Sequence, residues 1–440
     1  MNTTAIPSER QPERQPERQP ERQPERQPER QPERQPTFLS LRYPGAKRYF
    51  AGLSASMLGT WMQSIALSWL VSNDLNGNGR QLGILGLFQF TPMLLLGAWA
   101  GSLADRFDKR RLMIFTQLML GASALVLAFL DFSNRATLGA VYAVALVSGV
   151  ASAFDTPVRR ALIGDLVPPD IVPNAMSLNT GVITSSRVLG MALGGFVTSW
   201  AGTGWCFLVN GVSYLAMLVA LRGLGSRAHK AVAAKGSGVR DAVAHVVRTP
   251  VLAVSMAVTA VVATFTYNYQ VTFPLLIKHV FDRKADALGL LRAVTSVGSF
   301  VGAMMSARRR APSLRLFLVS SVSMGVWACG LAWAPNFLLG ALASVPMGVS
   351  GGLLMSQLSG LLTLHSPPSM RGRVLALQSV IFLGSTPIGG PIVGWISDAR
   401  GARAGMAFGG LAALVGGLGG LAWWAARASS RSPTVLADHA

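Results

Sequence analysis

Twelve apolar stretches recur along this chain, most of them separated by short polar turns, over residues 46–71, 81–104, 112–130, 137–154, 174–200, 205–221, 251–280, 288–307, 314–333, 337–364, 374–396 and 404–426. Each exceeds ~17 residues, enough for a helix to cross a hydrocarbon core of ~30 Å. Lipid offers the backbone no partner, so a spanning segment must satisfy its own hydrogen bonds, and helix is the form that does so one segment at a time. The pattern therefore predicts an all-α membrane protein with twelve transmembrane helices. Composition agrees. Only 13% of the 440 residues are charged, against about a quarter in a soluble protein. No Glu follows Glu33, so the body of the chain is acidic only through Asp.

The net charge of +20 sits in the turns. A basic balance can mean nucleic acid, but cations confined to short loops between apolar runs fit anionic lipid headgroups and membrane orientation instead. No nucleic-acid partner is expected. One alternating set of loops carries Arg106/Lys109/Arg110/Arg111, Arg159/Arg160, Arg222 to Arg248, Arg308/Arg309/Arg310/Arg315 and Arg371/Arg373; the other carries Arg80, Arg135, Lys278/Arg283/Lys284 and Arg400/Arg403. The richer set is expected to be cytoplasmic, with both termini, in the cell (inner) membrane.

Domain boundaries follow. Residues 1–37 form a tail with seven ERQP copies from Glu9 to Pro36; its charges cancel, Pro excludes helix and nothing apolar is there to bury, so disorder is expected. Residues 38–222 and 248–427 are two six-helix bundles, 223–247 a small-residue and basic linker between them, and 428–440 a second disordered tail. The bundles are pseudo-symmetric. A shift of 199 residues, without gaps, places Pro168-Pro169 on Pro367-Pro368, Leu178 on Leu377, Gly190 on Gly389, Gly195 on Gly394, Gly202 on Gly401 and Gly211 on Gly410. Pro and Gly recurring at matching places mark shared backbone geometry, as a duplicated unit leaves behind.

No nucleotide loop, metal-ligand spacing or nucleophile motif is present. Cys206 and Cys329 lie in apolar runs and read as small core residues, and the five histidines fall in loops, helix ends or the tail. No enzyme activity, cofactor or metal is expected. Polar residues inside the spans carry the information, because each costs free energy in lipid. Arg187 is the foremost. It lies about 21 Å along its stretch at 1.5 Å per residue, and no acidic residue lies on any span at that depth. An unpaired cation there would cost ~2.5–3.5 kcal/mol or more. It must face a wet cavity, backbone carbonyls or an anionic cargo. Trp61, Gln63, Gln89, Asn268, Gln357 and Gln378 are further candidates for a substrate cavity; isolated amides also serve simply to join helices.

The turn GSLADRFDKRRL, Gly101 to Leu112, supplies Gly101, Leu103, Ala104, Asp105, Arg106, Lys109, Arg110 and Arg111 in a pattern that resembles the loop joining helices 2 and 3 of the major facilitator superfamily. GTWMQSIALSWLV (59–71), AFDTPVRRALIGDLVPPD (153–170) and GPIVGWISDARGARAG (390–405) resemble the branch that holds enterobactin exporters and other transmembrane secretion effectors. The resemblance, over about residues 46–426, implies a monomeric secondary transporter working by alternating access, with helices 1, 4, 7 and 10 around the cavity. It implies export of a small organic molecule, such as a drug-like compound or siderophore, coupled to proton entry; a lipid carrier or a membrane scaffold is the alternative. No Asp or Glu lies mid-span to carry such a proton. Asp155, a histidine or the cargo would have to titrate. It also implies a charge network in which Asp105, Arg106 and Arg110 pair with Asp155 beside Arg159, closing the cytoplasmic side. Gly190, Gly194 and Gly195, in GMALGG, resemble an exporter-associated GPxxGG pattern with Met191 in place of Pro; Gly390, Pro391 and Gly394 form the better match one position out of register. These are expected to pack helices closely.

Overall fold

A computed structural model describes Pro36 and residues 38–222 and 239–429, except the side chains of residues 98, 100–106, 239 and 428–429. The ERQP repeats, most of the linker and the C-terminal tail lie outside the described residues, as do the side chains of Gly101, Asp105 and Arg106. Fourteen α-helices, three short 3-10 or π turns and no strand occur among the described residues. The first half contains α1 (Pro44–Trp69), α2 (Gly79–Arg106), α3 (Lys109–Phe132), α4 (Leu138–Leu166), α5 (Val172–Ala201) and α6 (Thr203–Arg222). The second contains α7 (Val239–Arg248), α8 (Pro250–Phe265), α9 (Tyr269–His279), α10 (Ala285–Ala307), α11 (Leu314–Ala332), α12 (Phe337–Leu364), α13 (Arg371–Arg400) and α14 (Ala402–Ser429). Ten segments are long and apolar enough to cross a membrane, α8 and α9 counting as one. Helices α1 and α2, at 26 and 28 residues, have the length as well.

Short polar turns start and stop these helices. Asp108 accepts from the backbone N–H of Arg110 and Arg111 and so caps α3, while Asn336 accepts from Leu339 N–H and caps α12. Gly202 and Gly401 end α5 and α13 at φ of 96° and 91°, a conformation that costs a side-chain-bearing residue. They are one of the pairs related by the 199-residue shift, so the repeat has a physical reason at this position. Large apolar side chains on the perimeter, such as Phe129, Phe196, Val219 and Val415, stay more than 60% exposed. An apolar surface of that extent belongs against lipid.

Two expectations change. The stretch 251–280 is not one helix. Asn268 donates its side-chain amide to Thr264 O, replacing the helical N–H of its own backbone, and its carbonyl receives Val271 N–H and Thr272 N–H to begin α9. This local side-chain competition breaks the span between Phe265 and Tyr269. Of the run Tyr267–Gln270, expected on a continuous helix, Tyr267 and Asn268 lie in the break and Tyr269 and Gln270 open α9. In addition, the last residues of the expected linker form α7, which buries Ala242 and Val246 and packs on α8 and α13.

Within the first half, α1 packs on α5 and α6, α3 on α4 and α6, and α2 on α4. Within the second, α10 packs on α12, α11 on α12 and α14, and α8 on α13 and α14. The halves meet along two seams, α2 against α13 and α5 against α10. In the sequence repeat, α5 corresponds to α13, so the interface is built twice from equivalent helices.

Candidate functional site

Glycine sets how close the halves come. A Cβ on Gly83 would sit 2.5 Å from the carbonyl of Gly390 and from Pro391 N; one on Gly79 would sit 2.5 Å from Gly394 O. In the other seam, a Cβ on Gly195 would sit 2.7 Å from Gly289 Cα. Gly190 and Gly194 work inside the first half instead, against Leu58 and Met62 of α1. Polar links reinforce the seams at the same end. Asp398, near the end of α13, accepts from Gly79 N–H at 2.6 Å and Arg80 N–H at 3.0 Å, capping the N-terminus of α2 across the interface. Lys278 donates to Ser72 O at 2.6 Å. An anion at a helix N-terminus is favourable both through its hydrogen bonds and through the macrodipole. At the opposite end a Cβ on Gly164, Gly181 or Gly372 would meet open space. Replacing Asp398 by Asn is expected to raise the rate at which cysteines placed behind the seam react with reagent from that end by about tenfold, the order of a lost charge-assisted hydrogen bond of ~1.5–3 kcal/mol; an unchanged rate would remove the latch role.

Behind the seams lies a cavity of about 310 Å³. Trp61 of α1, Arg187 of α5, Asn268 and Gln270 at the helix break, Arg292 of α10 and Thr386 of α13 border it. Arg187 sits at the middle of α5 with its guanidinium 4.7 Å from the centroid of the Trp61 ring, a cation–π contact. Arg187 Nε and Trp61 Nε1 are buried without a hydrogen-bond partner. Arg292 shares the cavity and lies within reach of the field of Arg187. No Asp borders this cavity among the described residues.

Arg292 escaped the sequence reading. With the stretch drawn from 288 it sits at the fifth position, where a cation reads as interfacial. The helix begins at Ala285 and is pinned by the Gly289 seam, which puts Arg292 inside the protein. Depth along the stretch, the criterion that singled out Arg187, could not find it. Trp61 and Asn268 border the cavity with Arg187. Gln89 lies at its margin, accepting from Gln270 at 3.1 Å. The other amides join helices: Gln63 accepts from Asn210 at 2.7 Å, Gln357 donates to Ser306 and accepts from Ser313 N–H, and Gln378 is bonded to Ser359. Of the expected helices 1, 4, 7 and 10, the first and seventh spans (α1 and α8–α9) line the cavity, but the fourth and tenth (α4 and α12) give way to α2, α5, α10 and α13, which the tight seams bring to the centre.

The charged turn is also arranged differently from expectation. Arg110 does not reach Asp155; it donates to Leu221 O at 2.8 Å and Arg222 O at 2.9 Å, closing the last turn of α6. Lys109 pairs with Asp165 at 2.8 Å, and Arg111 is exposed beside Asp108. Asp155 is buried one turn from Arg159 on its own helix, forms an ion pair with it, and accepts from Gln117 at 2.6 Å and Thr116 at 3.2 Å. The reason is depth: Asp155 points into the bundle between α3 and α4, whereas Arg110 lies at the surface where α6 ends.

Residues 43–430 match the family described as transmembrane secretion effector. The chain is 23% identical to the staphyloferrin A transporter of Staphylococcus aureus, over 65% of this chain and 73% of that protein. It is 25% identical to the multidrug efflux pump Tap of Mycolicibacterium fortuitum, over 81% and 89%. In three dimensions it resembles a bacterial homologue of the human lysosomal transporter Spinster in an inward-facing, occupied conformation, with TM-score 0.70 and 15% identity over 88% of this chain and 98% of that one. Two helical halves in a lipid-compatible surface, a cavity between them, and a family match over nearly all of that body lead to one conclusion: the chain belongs to the transmembrane secretion effector family of the major facilitator superfamily, and is a multi-pass membrane transporter.

Proposed function

We propose that this transporter exports a small organic anion across the cell membrane by alternating access. The observation that carries the reading is the pairing of Arg187 and Arg292 on one cavity with no carboxylate bordering it among the described residues. Arginine stays protonated and presents a fork that matches carboxylate geometry. Trp61 and the aromatic break at Tyr267–Tyr269 add faces for an unsaturated or aromatic body. A cavity of about 310 Å³ suits a small molecule. The excess of Lys and Arg in the loops at 109–111, 159–160, 308–315 and 371–373 makes that end, and both termini, cytoplasmic. The seam end is then extracellular, and the conformation is one closed outside. An export direction is supported by the family's description and by relatives named as efflux pumps. Gly101, Asp105 and Arg106 are proposed to gate the cytoplasmic side together with the Lys109–Arg111 turn, and the single chain is proposed to be the working unit.

The test is uptake into inverted vesicles of labelled mono- and dicarboxylates beside their uncharged amides. Carboxylates are expected to accumulate and amides are not. Arg187→Gln and Arg292→Gln should each lower carboxylate uptake by about tenfold or more, the size of a charged hydrogen bond lost from the cargo. Equal transport of acids and amides, unaffected by either substitution, would sink the reading.

A further inference from the structure

Alternating access moves the cavity from the cytoplasmic to the external potential without moving its residues through lipid. Any net charge fixed in the cavity therefore crosses the electric field each time the carrier turns over. Here that charge is set by Arg187 and Arg292, with no Asp bordering the cavity among the described residues. No Glu exists anywhere after Glu33. The other buried pair, Asp155 with Arg159, sums to zero and does not border the cavity. At the seam Asp398 is offset by Arg80 at 4.0 Å, and Lys278 lies nearby. The empty cavity is thus cationic, and a dianionic cargo would make it neutral.

We infer that the membrane potential, acting on this pair of arginines, powers the transporter: the neutral loaded carrier turns outward, and the empty dicationic carrier is drawn back to the cytoplasmic face. This rests on the anion-export reading above and adds the energy source to it. No proton is needed in the cycle, since two negative charges leave an inside-negative cell for each turnover and the field favours their exit. One elementary charge carried across a typical resting potential changes the ratio of the two orientations by roughly fiftyfold. Ions entering the wet cavity screen part of this, so at least about fivefold is expected for the pair.

The prediction can be read without knowing the cargo. In full-length protein with Cys206 and Cys329 replaced by Ala, Ser299→Cys puts a thiol on the cavity wall; the Ser299 hydroxyl donates to Thr295 O on its own helix. Right-side-out vesicles are clamped with a potassium gradient and valinomycin, and a membrane-impermeant maleimide is added outside. An inside-negative potential is expected to slow labelling at least about fivefold relative to zero potential. Arg187→Gln with Arg292→Gln should abolish the difference, and Arg187→Lys with Arg292→Lys should keep it, which separates charge from folding. Labelling indifferent to potential with both arginines present overturns the inference, as does a difference that survives the double Gln variant. Labelling that follows a pH gradient alone also overturns it and returns the coupling to a titrating group, Asp155 first. None of these results bears on whether acids outrun amides in the inverted-vesicle assay, so the anion reading stands or falls separately.

Discussion

Replacing Gly289 by valine stops transport while leaving the protein folded and in the membrane. A Cβ at this position would lie 2.5 Å from Met191 O, 2.7 Å from Gly195 Cα and 2.9 Å from Gly195 N. All three are backbone atoms of α5, so no side chain can swing aside. The helices must separate at this end, which in the alternating-access cycle proposed above is what the outward-open state does already. The strain therefore falls on the conformation closed outside and spares the other. Overpacking costs ~1–3 kcal/mol, and every 1.4 kcal/mol is tenfold in a population ratio. Valine carries two further methyl groups into the same contact, so a shift of roughly a hundredfold toward the outward-open form is expected. External maleimide should label a cavity cysteine much faster in Gly289→Val than in the parent, with membrane abundance unchanged. Slow labelling together with normal transport would show that the seam is not the gate.

Replacing Asp155 by Asn attacks folding rather than turnover. Asp155 is 1% exposed, and its carboxylate is the charge partner of Arg159, whose Nε is buried without a hydrogen-bond partner among the described residues. The remaining contact of that guanidinium is to Met57 Sδ at 3.2 Å, which cannot offset a positive charge. Removing one member of a buried pair leaves an uncompensated ion at a cost of ~3–5 kcal/mol. Purified Asp155→Asn should unfold at a markedly lower temperature in detergent. The double variant Asp155→Asn with Arg159→Gln should recover most of the loss, because two neutral amides can bond each other and Gln117. A single variant as stable as the parent, or a double variant worse than the single, would mean that the pair is solvated and not the keystone of the α3–α4 packing.

Reading the chain from composition and spacing reached the membrane spans and picked out Arg187 as a cation inside one of them, because each of those is a property of one segment. An apolar run of given length must be a spanning helix wherever it packs, and a cation in its middle is anomalous in any fold. The 199-residue repeat was legible for the same reason, and its glycines now have distinct duties. Gly202 and Gly401 end helices at positive φ. Gly195 and Gly394 sit in the two seams. Amides were not legible. Gln63, Gln357 and Asn268 look alike in a sequence, but two are spent joining helices and the third breaks its own. Whether an amide faces a cavity or a neighbour depends on the rotation of its helix, which a weakly amphipathic, nearly all-apolar segment does not encode.

Sequence alone thus determined that this is a helical membrane protein of two repeated halves with a cation where lipid would not tolerate one, since local length, hydropathy and charge suffice for that. Only the tertiary structure decided that a second cation, Arg292, joins the first, that Arg110 holds α6 instead of Asp155, and that Asp398 caps a helix more than three hundred residues away. Those facts depend on which helices touch and at what depth, and close approach between backbones is set by both surfaces at once.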